Sequence, residues 1–575
     1  MTRNASEARW GGGVTLLLAI FIFLPLLAVL LNALLPGLFF GDLQFNKITI
    51  LGELFQRPLW RQSLLNSVTL AGGAATLGTV IGGVLAWLRS QWDFATGRLL
   101  DAAVWVLLIV PSFMIAQGWV LFAGAGGMAN QSLGMPWITS FIFTPVGLTF
   151  VMALSKFPLA YLTILAATEW NVRQFGQAAR LCGAKPFTVW RTIYLPLSAP
   201  SIIAGWTLVF MDTVGDFGLP AALSTVYKFP TLPYSIYSAL YQSPVRFDMA
   251  GVLALYLVAI LAIAMAILIT ALRRSRFDFL NARAVHTVKK RPRRAWAINS
   301  GVVAFLLLCA GIPLLTSVAV SFMERMGDGF VWSNLSLRHY KEVLFGMDGD
   351  HRLLSFWHGL LHSLTIAVIA AVISMVIGFI VAYVITFTES RFRSYLQLFS
   401  ILSLAVPGVV LGIGYIFIWN QKWLEPLGLH LYGKPALLVI AAVAGAIPYA
   451  VRVQLGSFAN LSHTMLKAAA VQGAGIGARM REIVLPLARQ SILIASLAAM
   501  GTSVFDLALS SMLQPPNFVL MPLVIDRAFE FARYGYATAA TVISGLVVII
   551  LILSVQAAGK TLFGKLDRPQ GGTKR

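Results

Sequence analysis

Apolar positions in this chain neither alternate nor keep to one helical face; they gather into long blocks with short polar stretches between them. A bilayer's hydrocarbon core takes about 20 helical residues to cross, and only a helix or a closed barrel satisfies its own backbone groups in lipid. Twelve blocks of that kind are predicted as spans, at about 14–35, 65–88, 99–122, 141–166, 201–216 and 249–272, then 297–321, 360–386, 396–419, 436–455, 491–507 and 538–558. The fifth and eleventh are short. The expected fold is all-α and polytopic.

The blocks form two sets of six. Ser63-Leu64-Leu65-Asn66-Ser67 matches Gly359-Leu360-Leu361-His362-Ser363 at an offset of 296, as do Gly82 and Ala86 with Gly378 and Ala382, and Pro111 and Gly118 with Pro407 and Gly414. From Pro158 and Pro448 onward the offset is 290. An even number of spans per half makes the repeat parallel, related by a pseudo-two-fold axis along the membrane normal. The chain therefore divides into a first domain at 1–272, a basic linker at 273–296 and a second domain at 297–575.

Between the fourth and fifth spans of each half lies a polar island. The first reads Gln177-Ala178-Ala179-Arg180-Leu181-Cys182-Gly183-Ala184, with Arg191 and Leu195-Pro196-Leu197 following; the second reads Lys467-Ala468-Ala469-Ala470-Val471-Gln472-Gly473-Ala474, with Arg481 and Leu485-Pro486-Leu487. Alanine favours helix and glycine suits the residue just past a helix end. Each island thus predicts a helix, a glycine turn and a second short helix, at about 186–193 and 476–484, ending before Pro196 or Pro486 because proline cannot continue the ladder. A stiff hairpin leading straight into a span can act as a lever.

Composition supports lipid as the solvent: 58% of residues are hydrophobic and 11% charged, against about 25% charged in a soluble domain. The net charge of +21 could suggest nucleic acid. Its location decides against that partner, because the basic excess falls in the segments that share a face with the N-terminus, as the positive-inside tendency expects of a cytoplasmic side. Both termini and both islands are expected on that face. The join from Arg273 to Arg294 holds nine basic residues and a single acid, Asp278, and suits anionic lipid headgroups. Opposite segments, at about 36–62, 123–140, 217–248, 322–358, 420–435 and 508–537, are rich in proline and aromatics and suit a docking surface. The first apolar run is too long for a cleaved signal peptide. Cys182 and Cys309 offer neither a disulfide framework nor a metal knot.

Candidate chemistry is sparse. Gly559-Lys560-Thr561 ends like a phosphate-binding loop, but Ser554 stands where its first glycine belongs and no strand precedes it. His358 and His362 share a helix face, yet their repeat partners are Gln62 and Asn66, so a polar helix start explains both halves and no metal site is assigned. Charges inside spans are costly and carry a functional reading by default. Asp216 and Asp506 are repeat-equivalent, Asp212 lies one turn before Asp216, and Lys156 lies in the fourth span. These four are candidates for a translocation pathway favouring a cation; the plainer alternative is that the acids satisfy backbone groups while Lys156 neutralises one of them.

Ala-Ala-x-x-x-Gly-Ala followed by Leu-Pro about a dozen residues later resembles the EAA loop of inner-membrane permeases of binding-protein-dependent ABC importers. The resemblance covers both halves, with loops at about 169–197 and 459–487. It implies two tandem six-helix MetI-like domains, no catalytic residues in this chain, and Ala178, Ala179, Gly183, Ala184, Arg191 and Pro196, with Ala468, Ala469, Gly473, Ala474, Arg481 and Pro486, as coupling loops for two copies of a cytoplasmic ATPase that uses ATP and Mg. It also implies a periplasmic or lipid-anchored solute-binding protein and a multi-pass place in the bacterial inner membrane. The family's leading acid is Gln177 and Lys467 here, so no ATPase contact is assigned to it. Two domains fused at this length are most similar to ferric-iron importer permeases; related permeases carry thiamine, 2-aminoethylphosphonate or polyamines. An ion-coupled secondary transporter would also use twelve spans and a repeat.

Overall fold

A computed structural model describes residues 11–39, 50–168, 173–224, 227–274, 291–346, 354–388, 390–397, 399, 406–458 and 461–566. Most of the expected basic linker lies outside them. Among the described residues the chain is helical, with no strand beyond the bridged pair Met323 and Leu335. Eleven helices among the described residues are long and apolar enough to cross a membrane: Gly11–Leu34, Pro58–Gln91, Ser112–Gln131, Pro145–Ala167, Pro186–Val214, Phe247–Ala271, Ala295–Phe322, Phe356–Phe387, Pro435–Phe458, Ile476–Val504 and Tyr534–Gly559. Gly408–Trp419, at the place of the expected ninth span, is shorter. Several begin on proline, whose fixed φ suits the first helical turn and whose missing N–H costs nothing there.

Three expectations are corrected. The third span is not one helix: Gly97–Ile109 ends, Pro111 takes an extended conformation, and Ser112–Ala123 follows. Pro407 likewise caps Gly408–Trp419. The fifth and eleventh spans are not short, because they start at Pro186 and Ile476 rather than near 201 and 491. The second hairpin helix does not stop before Pro196 or Pro486. It passes through a five-residue π-turn, Trp190–Tyr194 or Met480–Val484, into Leu195–Val214 or Leu485–Val504. A π-turn widens the helix by one residue per bond, which gives the proline ring room and absorbs its missing donor. The same device precedes Pro25, at Ala19–Phe23, and Pro313, at Leu307–Gly311.

Small residues set the core of each half. A Cβ at Gly82 would lie 2.7 Å from the Tyr161 nitrogen, and one at Gly378 would lie 3.0 Å from the Ala450 carbonyl carbon, so the second and eighth spans touch the backbones of the fourth and tenth. Such close approach replaces the hydrophobic driving force that lipid removes. The two halves exchange their first helices. Gly11–Leu34 crosses Gly408–Trp419, where a Cβ at Gly414 would sit 2.6 Å from the Pro25 carbonyl carbon. Ala295–Phe322 crosses Ser112–Ala123, where a Cβ at Gly118 would sit 2.6 Å from Pro313 Cα. The Tyr415 hydroxyl donates to the Phe21 carbonyl at 2.6 Å, tying the ninth span to the first. Each half is thus clasped by the other.

Candidate functional site

The two polar islands fold into the same hairpin. Arg173–Leu181 ends at Gly183 with φ +86, and His463–Val471 ends at Gly473 with φ +90. In the first, Gly183 N–H donates to the Arg180 carbonyl and Ala184 N–H to that of Ala179, each at 3.0 Å. In the second, Gly473 donates to Ala470 at 3.2 Å and Ala474 to Ala469 at 3.0 Å. This paired closure is a Schellman motif, and it explains why glycine stands where it does: the left-handed conformation penalises any Cβ. The small Ala179 and Ala469 are half-buried under the turn, while Ala178, Ala468, Arg191 and Arg481 stay exposed. Pro196 and Pro486 are exposed on the continuous helices.

The hairpin tips are bare. Leu181 is 90% exposed and Val471 85%, and in the first hairpin Phe187 and Trp190 stack in the open at 6.1 Å. Their anchorage differs. Leu466, Ile476, Met480 and Val484 pack with Tyr383 and Phe458 of the eighth and tenth spans, so the second hairpin is bolted to the bundle. The first packs Val189 and Tyr194 mainly against its own Ala179, Ala184, Ile193 and Leu197.

At the other end of each long helix lies an acid. Asp216 follows Pro186–Val214, and its Oδ1 accepts from Leu219 N–H at 3.1 Å and from the Ser112 hydroxyl at 2.8 Å. Asp506 follows Ile476–Val504, and its Oδ1 accepts from Leu509 N–H at 3.0 Å. Both therefore cap the next short helix, Gly218–Ser224 or Leu507–Leu513. The halves then diverge. Lys156 Nζ lies 2.6 Å from Asp212 Oδ2 and 2.7 Å from Asp216 Oδ2, holding both on the fourth span. At the corresponding positions of the second half stand Ala446 and Thr502, and among the described residues no cation is paired with Asp506. Instead a cavity of 170 Å³ opens beside it, lined also by Gly445, Pro448, Tyr449, Thr502 and Ser503. Asp212 and Lys156 from the first half and Asp506 and Arg452 from the second lie close enough to the Tyr449 phenol to act on its charge, and Asp216 joins them through Lys156, so the pathway candidates border one central region. Sequence reading passed over Tyr449 and Arg452, although each is a polar residue within a span.

The far end is tied down by repeat-equivalent contacts. Asn66 Nδ2 donates to the Pro230 carbonyl and the Ser67 hydroxyl accepts from Leu232 N–H; His362 Nδ1 meets the Val519 carbonyl at 3.0 Å and the Ser363 hydroxyl accepts from Met521 N–H. His362 also stacks on Phe518 at 4.0 Å, and among the described residues no group of His, Cys, Asp and Glu could hold a metal. The short helices so fixed, Leu232–Tyr241 and Met521–Glu530, bring together Tyr237, Asp526 and Glu530. Burial, with Glu530 next to it, pushes the Asp526 carboxyl up to about 7. Arg246 pairs with Glu53 and Arg533 with the buried Glu342.

Two parallel six-helix units, two exposed hairpins continuous with spans, and a charged centre at the far ends of those spans define a membrane permease worked from one face. The sequence pattern of the family described as "Binding-protein-dependent transport system inner membrane component" occurs twice, at residues 78–283 and 374–563, and the chain belongs to that family. It is a fused two-domain ABC importer permease. The molybdenum transport permease ModB of Escherichia coli K12 is 31% identical over 191 residues, 32% of this chain and 82% of that one. The probable ABC transporter permease y4fN of Sinorhizobium fredii is 24% identical over 576 residues, 96% of this chain and 97% of that one. The putative ferric transport permease FbpB 1 of Haemophilus influenzae is 23% identical over 501 residues, 84% of this chain and 74% of that one. Membership of the family decides against an ion-coupled secondary transporter.

Proposed function

We propose that this chain carries ferric iron, or a small ferric complex, across the bacterial inner membrane, with its termini and both hairpins in the cytoplasm. Two copies of a separate ATPase grip the hairpins around Gly183 and Gly473; ATP and Mg are used there, and this chain supplies no catalytic residue. A solute-binding protein delivers cargo to the opposite face. The continuity of hairpin and span carries the mechanical reading: closure of the ATPase pair pushes on a helix that runs unbroken to Val214 or Val504.

The cargo assignment rests on the central charge and on the relatives that span most of the chain. Asp212, Asp216 and Asp506 outnumber Lys156 and Arg452 by three to two, which disfavours an oxyanion such as molybdate and favours a cation. Relatives named for ferric transport cover 84% and 98% of this chain, whereas the molybdenum permease covers one domain's worth, 32%. The test is uptake of radiolabelled ferric iron by cells producing this chain with the ATPase and binding protein encoded beside it. Uptake that needs all three components supports the reading; uptake of molybdate, thiamine or a polyamine in place of iron overturns the cargo assignment.

A further inference from the structure

The two halves treat the same acid differently, and the difference is one positive charge. In the first half the Lys156 ammonium sits between Asp212 and Asp216 at 2.6 and 2.7 Å. In the second half position 446 is alanine, the carboxylate is Asp506, and the space beside it is a cavity of 170 Å³. A water occupies about 30 Å³ of liquid, so this space takes a small ion together with several waters. We infer that the Asp506 cavity is a transit site for a hard metal cation, and that Lys156 is a tethered substitute for that cation at the equivalent place in the first half. The inference rests on the proposed import of a cation and deepens it: the membrane site is one-sided.

The lining has the right donors. Hard cations take oxygen ligands. Thr502 donates its hydroxyl proton to the Ala499 carbonyl at 3.0 Å and Ser503 donates to Ala499 at 2.9 Å, so each oxygen keeps its lone pairs for another partner. Tyr449 adds a third hydroxyl and Asp506 the charge. One Asp506 oxygen is already spent on Leu509 N–H, and one carboxylate with three neutral oxygens makes a weak site rather than a cage. Weakness is what passage requires, since an ion must leave as readily as it enters. Arg452, also within reach of Tyr449, is the basic group bordering the region from the same span.

The test installs the second half's missing lysine. Ala446→Lys puts an ammonium at the position equivalent to Lys156, aimed by that equivalence at Asp506, and Ala446→Met supplies similar length without charge. Two readouts apply: uptake of radiolabelled ferric iron with the ATPase and binding protein present, and Tb³⁺ luminescence excited through tyrosine in the purified chain in detergent. Ala446 is buried, so both variants carry the same cost of filling that position. Relative to Ala446→Met, Ala446→Lys is expected to cut uptake about tenfold or more, equivalent to losing one cation–carboxylate contact, and to remove a component of the Tb³⁺ signal. Equal behaviour of the two variants overturns the inference. Should Ala446→Lys fail to accumulate in membranes, Asp506→Asn carries the same readouts, and wild-type uptake with an unchanged Tb³⁺ signal overturns it. A wild-type chain that imports no iron yet shows a Tb³⁺ signal lost in Ala446→Lys refutes the ferric reading alone.

Discussion

The hairpin glycines allow a graded test of the lever. At Gly183 and Gly473 an added Cβ would meet nothing within 4 Å, so substitution there is free of collision and its cost is purely conformational. Alanine at φ +86 or +90 pays about 1 kcal/mol for the left-handed region, and asparagine less, because its side chain bonds locally there. Proline cannot adopt the conformation at all. Its φ is fixed near −65°, and it deletes the N–H that closes the turn on Arg180 or Ala470, so it costs about 3 kcal/mol plus roughly 1 for the lost bond. A cost of 1 kcal/mol leaves a folded hairpin dominant, whereas about 4 kcal/mol shifts its equilibrium roughly a thousandfold. In proteoliposomes with ATPase and binding protein, solute moved per ATP should fall in the order Gly, Asn, Ala, Pro, with only proline abolishing it. Hydrolysis should continue and membrane abundance should stay unchanged. Position 183 should suffer more than 473, since the second hairpin keeps Ile476 and Met480 packed on the bundle. Full coupling in both proline variants, or alanine as damaging as proline, would refute the lever.

Three further outcomes follow from the geometry. Gly118→Ala and Gly414→Ala each drive a Cβ into the backbone of the crossing helix, 2.6 Å from Pro313 Cα or the Pro25 carbonyl carbon, and should each cost about 1–3 kcal/mol, read as a lower apparent Tm in detergent; wild-type Tm in both would rule out the clasp. Lys156→Met leaves Asp216, whose side chain is 3% exposed, uncompensated, and should cost about 3–5 kcal/mol, seen as low membrane yield that Lys156→Met with Asp216→Asn partly restores. Asp526 binds its proton more tightly folded than unfolded, since its carboxyl is raised from 3.8 to about 7; its stabilising contribution is complete below the lower value and is lost as pH rises through the upper one. Asp526→Asn should therefore raise the apparent Tm at pH 8 more than at pH 5, and an equal gain at both would show that Asp526 is not perturbed.

Much of this was legible because it depends on short-range chemistry. Span length follows from apolar run length, and the glycine turn follows from Ala-Ala-x-x-x-Gly-Ala, whose closure needs only residues five apart. The pairing of Asn66 with Pro230 and of His362 with Val519 shows the repeat partners, an amide and an imidazole, doing the same work at the start of their spans. Proline misled where the rule is local but its exception is not. Pro196 and Pro486 read as helix stops, yet a π-turn carried both through, and nothing in Trp190–Tyr194 or Met480–Val484 announces a wider turn. The exchange of first helices was equally silent, because Gly118 and Pro313 lie in different halves. Asp212, Asp216, Asp506 and Lys156 could be named from sequence, and so could an acid neutralised by Lys156, but not that the lysine meets Asp212 and Asp216 together: the mismatch of Lys156 with Ala446 is visible in the repeat, while the cavity beside Asp506 depends on packing by Pro448, Tyr449 and Leu509.

The correction at the prolines changes what the hairpins can do. Had the second hairpin helix ended before Pro196, a push at Gly183 would have crossed a joint before reaching the membrane. As built, Pro186–Val214 and Ile476–Val504 are each 29 residues, roughly 40 Å of helix at 1.5 Å per residue, with Asp216 or Asp506 two residues past the end. Displacing a hairpin therefore displaces an acid that caps the next helix. In the first half that acid is stapled to the fourth span by Lys156, so on the proposed stroke Pro145–Ala167 should move with it and leave the carboxylate paired. In the second half no such staple holds Asp506 among the described residues, so the same movement alters the distance from its carboxylate to Tyr449 and Thr502 across the cavity. On the proposed mechanism, then, two equivalent levers act on an unequal centre, and the stroke becomes a change at the inferred cation site only where the lysine is missing.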